Sequence, residues 1–100
     1  MKVNVQAVNF NVDKKLVAFI DEKLSKLEKY FDKIVSVDVF LRTENTSDKE
    51  NKTAEIKVHV PGEELVIKKT CKTFEEAVDI SEQSLERMLT KYKEKIRAHA

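Results

Sequence analysis

Glycine, proline and cysteine occur once each in this 100-residue chain, and tryptophan not at all. One glycine cannot build a glycine-rich loop that cradles a phosphate. One proline beside it leaves almost no flexible linker. The lone Cys71 excludes an internal disulfide and fits a reducing cytoplasm. No apolar run approaches membrane-spanning length, and Met1-Lys2-Val3 leads into an alternating pattern, not a signal peptide. Excess charge of one sign is missing too: 19 Lys and Arg stand against 18 Asp and Glu, a formal net charge of +1. Bulk charge therefore does not mark a nucleic-acid binder, and any such role must rest on where the charges lie.

What is present is pattern. Apolar residues make up 41% of the chain and charged residues 37%, which suits one small domain over residues 1–100 with heavily charged helices. "KVNVQAVNF" (2–10) alternates at its start, with Val3, Val5 and Ala7 on one face, and predicts a half-buried strand. Asp13 can cap a helix over 14–31, where Leu16, Ile20, Leu24, Leu27 and Phe31 recur at helical spacing. "IVSVDVFLR" (34–42) predicts a second strand with Val35, Val37, Val39 and Leu41 inward, and the polar run 43–52 a hairpin loop. "TAEIKVHV" (53–60) and "EELVIKKT" (63–70) complete four strands about a Pro61-Gly62 type II turn. Thr73 and Glu76 form a capping box. It opens a last helix to about Ile96, with Phe74, Val78, Leu85, Met88, Leu89 and Tyr92 on one stripe. The order is β-α-β-β-β-α, an α+β fold. A right-handed crossover makes the first two strands parallel, and both helices cover one face of a mixed sheet.

On a helical wheel each helix splits into an acidic and a basic flank. In the last helix Glu75, Asp79, Glu82 and Glu86 lie on one side, and Arg87, Lys91 and Lys95 on the other. In the first, Asp21, Glu28 and Asp32 oppose Lys15, Lys23, Lys26, Lys29 and Lys33, with Glu22 interrupting. Helix dipoles explain part of this, and neighbouring helices could set the acidic flank of one against the basic flank of the other. A helix built only for solubility would instead interleave Glu and Lys four residues apart. The residues alone leave a solvated flank and a binding ridge both open. Other chemistry is thin. His59, on a polar strand face, and His99, in the C-terminal tail, share no metal-ligand spacing with Cys71, and no local base activates that thiol. No cofactor and no catalysis are expected.

Together, "KLSKLEKYFDKI", the "VPGEEL" hairpin and "FEEAVDISEQSLERMLTKYKEKI", in this order and spacing, resemble the ribosome hibernation-promoting factor family. That family is also called ribosome-associated inhibitor or sigma modulation proteins. The resemblance runs from about Asn4 to Ile96. It implies a cytoplasmic stress or stationary-phase factor that binds the small ribosomal subunit, in the channel for messenger and transfer RNA, and silences translation. It also implies that Lys23, Lys26 and Lys29, with Arg87 and Lys91, grip ribosomal RNA, and Lys95 extends the same column. Two positions depart from the family pattern: Ser84 stands where relatives often have Lys, and Glu75 where many have an aromatic. The chain resembles the short members, which lack a C-terminal dimerisation domain. A separate dimerising factor would then be needed to pair ribosomes, and the isolated protein is expected to be a monomer that touches no membrane. Two rivals remain on sequence alone: a double-stranded-RNA-binding module, and a protein-interaction adaptor using Phe40, Arg42 and Lys57 on the polar sheet face.

Overall fold

Alternating hydropathy becomes four strands, β1 (Lys2–Ala7), β2 (Ser36–Thr43), β3 (Lys52–Val60) and β4 (Glu63–Cys71), in a computed structural model that describes residues 1–98. His99 lies outside the described residues. The strands form one mixed sheet in the order β1-β2-β3-β4. β1 runs parallel to β2, and the remaining pairs are antiparallel. The two helices are α1 (Lys14–Ser25), continued by a 3-10 helix (Lys26–Lys29), and α2 (Phe74–Ala98). α1 packs near β1 while α2 lies over β3 and β4, and the helices touch each other. This is the β-α-β-β-β-α architecture expected, with both helices on one face. No helix among the described residues is long and apolar enough to cross a membrane.

Sheet and helices meet in one core. Val37, Val39, Leu41, Ala54, Ile56 and Val58 of the sheet are fully buried against Ile20, Leu24, Leu27, Val78, Leu85 and Leu89. Side chains alternate across a strand, so this leaves the opposite sheet face polar. Each Leu or Ile fully buried here contributes on the order of 2–3 kcal/mol from its removal from water. Phe10 stacks on Phe74 at 5.4 Å, tying the loop before α1 to the start of α2, and within the core Phe31 meets Tyr92 edge-on at 5.3 Å, tying the end of the first helical segment to α2.

Local chemistry fixes the boundaries, and three differ from the sequence expectation. β1 stops at Ala7, two residues before Asn9 turns left-handed at φ 63°. The helix expected over 14–31 tightens after Ser25, whose hydroxyl donates to the Asp21 carbonyl at 2.6 Å. Such back-bonding competes with the helical ladder, and the remaining turn is 3-10. Val35, expected inward, is 63% exposed because it precedes the strand, and its N–H donates to the His59 carbonyl at 2.8 Å. Gly62 adopts φ 81°, as the central position of a type II turn requires.

Caps hold the helix starts. Asp13 accepts from the Lys15 N–H at 2.8 Å, and Thr73 Oγ1 accepts from the Glu76 N–H at 3.1 Å. The reverse bond of a capping box, from the Thr73 N–H to Glu76, is not among the hydrogen bonds of the described residues. Thr73→Ala should therefore cost about 1 kcal/mol, the worth of a single N-cap bond. Urea denaturation checks this, and a loss below about 0.3 kcal/mol would mean the cap is idle.

Candidate nucleic-acid interface

The direction of the helices decides which charges meet. Lys23 Nζ lies 2.8 Å from Asp79 Oδ1, and seven residues further along each helix the Tyr30 hydroxyl faces Glu86. Partners that advance together mean that α1 and α2 run parallel. The basic flank of α1 therefore faces the inter-helix groove, where it meets the acidic flank of α2. The basic flank of α2 faces outward, toward the β4 side. Asp79 and Glu86 line the α1 side of α2, with Glu82 buried beside them.

Inside the groove the electrostatics are specific. Asp79, by its hydrogen bond and charge, holds the Lys23 pKa above the ordinary lysine value. The Lys23 ammonium also sits 5.9 Å from the centroid of the Phe19 ring. Glu82, placed on the acidic flank by the helical wheel, is only 5% exposed. Burial first, then the hydrogen bond and charge of Glu86, push its carboxyl up to about 7. Glu86 moves the other way, held below its ordinary value by hydrogen bonds from Glu82 and Tyr30. Below about pH 7 Glu82 therefore favours its protonated form, beside a Glu86 that favours the charge. Its Oε2 and the Ser81 hydroxyl have no hydrogen-bond partner among the described residues.

Sequence reasoning missed this cluster because Glu82 lies only 60° from the centre of the apolar stripe on the α2 wheel. At that angle the packing of α1, not the residue type, decides burial. A wheel of the helix expected over 14–31 offers a signal for Tyr30, which falls seven residues after Lys23 and so on the same side.

The six candidate cations fall into two groups. Lys26, Lys29, Arg87 and Lys91 are exposed, and none has a carboxylate within ion-pair distance among the described residues. Lys23 is half-buried on Asp79, and Lys95 lies 3.8 Å from Glu63. Arg87 donates to Ser84 Oγ at 3.1 Å, so Ser84 orients the guanidinium without neutralising it. Lys91 stands between two shallow grooves. One is bordered by Tyr30, Glu86, Arg87, Thr90 and Glu94, and the other by Glu63, Leu65, Met88, Tyr92 and Lys95.

The open sheet face, on which the adaptor reading rests, is largely self-satisfied. Asp38 accepts from Asn4 at 3.1 Å and meets His59 Nε2 at 2.8 Å, while His59 Nδ1 lies 3.2 Å from Glu64. The bonds to His59 and Asn4 hold Asp38 below the usual carboxylate range. Lys57 lies 5.4 Å from the Phe40 ring centroid, so this half-buried aromatic already has a cation. Among the described residues no group of three acidic, His or Cys side chains is arranged to hold a metal ion.

Known proteins share both pattern and fold. The family model described as Sigma 54 modulation protein / S30EA ribosomal protein matches residues 3–97. The ribosome hibernation promoting factor of Azotobacter vinelandii is 35% identical over 95 residues, covering 95% of this chain and 85% of that protein. The protein of the same name from Escherichia coli strain K12 is 33% identical over 99 residues, covering 99% of this chain and 100% of its own. A ribosomal subunit interface protein from Coxiella burnetii superposes with a TM-score of 0.81 at 20% identity, over 93% of this chain and 98% of that one. At that identity the superposition speaks for the fold alone.

Proposed function

The chain belongs to the Sigma 54 modulation protein / S30EA ribosomal protein family, and from that premise we propose that it is a ribosome hibernation factor. On this reading it binds the small ribosomal subunit through rRNA in the messenger and transfer RNA channel. There it blocks translation under stress or in stationary phase. One observation carries the site: Arg87 and Lys91 project from one flank of α2 with no carboxylate within ion-pair distance among the described residues. Lys26 and Lys29 offer a second pair of free cations on the first helical segment.

The mechanism needs no bond made or broken. Phosphate contacts from these four side chains supply affinity and fix orientation, while the shape of the folded rRNA selects the site. Lys23 and Lys95 contribute less, because each must first leave a carboxylate of its own domain. The charged Glu86 of the acidic flank repels backbones that fit badly, so the domain rejects RNA of the wrong shape. Occupancy then excludes messenger and transfer RNA.

Co-sedimentation with purified small subunits across a salt series tests the reading. Four phosphate contacts give a slope of roughly −3 to −4 for log affinity against log salt. A flat response would remove the phosphate grip. Plain duplex RNA should compete poorly; competition at equal concentration would favour a double-stranded-RNA-binding module instead.

A further inference from the structure

β4 ends the sheet. Among the described residues no strand lies beyond it, and no backbone hydrogen bond reaches it from the side away from β3. An edge of this kind is a template for another strand unless its side chains forbid pairing. Charges normally forbid it by meeting like charges, so their order along the strand matters.

Over 63–69 the strand reads "EELVIKK". Laid antiparallel against a second copy of itself about Val66, it places Glu63 opposite Lys69, Glu64 opposite Lys68 and Leu65 opposite Ile67. Val66 meets Val66. Every charge then meets its opposite, and every apolar residue meets an apolar one. The faces agree as well: buried Leu65 and half-buried Ile67 lie on the helix side, and exposed Glu64, Val66 and Lys68 on the open side. Moving the centre to Leu65 would set Glu63 against Ile67, and an in-register parallel pairing would stack like charges. One register therefore satisfies the strand, and it has the two-fold symmetry of an isologous dimer. The opposite edge, β1, reads "KVNVQA" and has no such complement.

Two further observations fit a second copy. Val66, at the centre of the pairing, is a 43% exposed apolar side chain. On the helix side, the groove between β4 and α2 has Leu65, Met88 and Tyr92 in its lining. There the partner's Ile67 would extend the apolar surface from Leu65 outward.

We infer that β4 is a self-recognition edge through which two copies of the chain join by antiparallel β4–β4 pairing into one continuous sheet. A short strand pair is a small interface, so the association is weak and reversible. The monomer expected from sequence is then its dilute form.

Sedimentation velocity of the full chain, from micromolar to millimolar concentration, should show the mass rising from 11.6 kDa toward twice that value. Val66→Arg sets two like charges face to face on the axis and should remain monomeric over the same range, with its thermal midpoint unchanged. Val66→Cys gives an independent readout. Facing residues on antiparallel strands are within disulfide reach, so mild oxidation should yield a covalent dimer. Val8→Cys, equally exposed just beyond β1, should cross-link far more slowly. A wild-type chain still monomeric at millimolar concentration overturns the inference. So does a Val66→Arg protein that dimerises like wild type, or a Val66→Cys protein that cross-links no faster than Val8→Cys.

Discussion

Reversing Arg87 and Lys91 together to Glu should weaken small-subunit binding by more than about 100-fold while leaving the domain folded. A hydrogen bond to a charged group contributes about 1.5–3 kcal/mol, so losing two removes at least about 3 kcal/mol. The new carboxylates add repulsion from phosphates. The salt slope of any residual binding should fall by roughly 2, one unit for each lost contact. Stability should barely move, because both side chains are exposed and the fold loses only the Arg87 bond to Ser84. The matched control is Lys14→Glu with Lys49→Glu, which changes net charge equally at two exposed positions away from the α2 flank. Co-sedimentation separates the outcomes. If the Arg87/Lys91 variant binds like wild type, the grip lies elsewhere; if the control loses binding equally, net charge and not the flank is responsible.

Glu82→Gln should stabilise the domain by about 1–3 kcal/mol at pH 8 and by less than about 1 kcal/mol at pH 5. In the folded protein Glu82 holds its proton up to about 7, against 4.5 for the free side chain. Between those values the folded state binds more protons than the unfolded chain. Stability from this group is therefore fully present below the unfolded pKa and is lost as pH rises through about 7. Glu86 acts in the opposite sense: its lowered pKa gives stability above the unfolded value that is lost as pH falls. Lys23, Asp79, Glu86 and Tyr30 all face this site, and Lys23 alone favours the ionised Glu82. A glutamine amide keeps the donor to Glu86 and removes the ionisation, so it copies the low-pH form at every pH. Urea denaturation of both proteins at pH 5 and pH 8 decides the matter. An equal stability difference at the two pH values would mean that Glu82 does not titrate across this range.

The two predictions draw on opposite sides of one helix, and they differ in how far sequence could reach them. Arg87 and Lys91 were visible on a helical wheel, because a charged side chain well off the apolar stripe stays charged and exposed whatever packs elsewhere. Glu82 was not. It lies beside the stripe, where a neighbouring helix decides between water and interior, and a wheel drawn for one helix contains no neighbour. The same limit applies to Val35, whose apolar character suits an inward strand position but which sits just before the strand. His59 shows it again: cross-strand register, not spacing in sequence, brings Asp38 and Glu64 to its two ring nitrogens.

The sequence by itself determined the element order, the sheet's apolar face, the helix caps at Asp13 and Thr73, the turn at Gly62 and the division of each helix into two charged flanks. These follow from local periodicity and from backbone preferences of single residues, which act over a few positions of chain. Only the tertiary structure decided that α1 and α2 lie parallel. From that alone it follows that Lys23 is held by Asp79, that Glu82 is buried, and that the basic flank of α2 faces outward with Arg87 and Lys91 free. Relative direction is set when both helices dock on the same sheet, and the charges that meet across that groove come from residues some 56 positions apart.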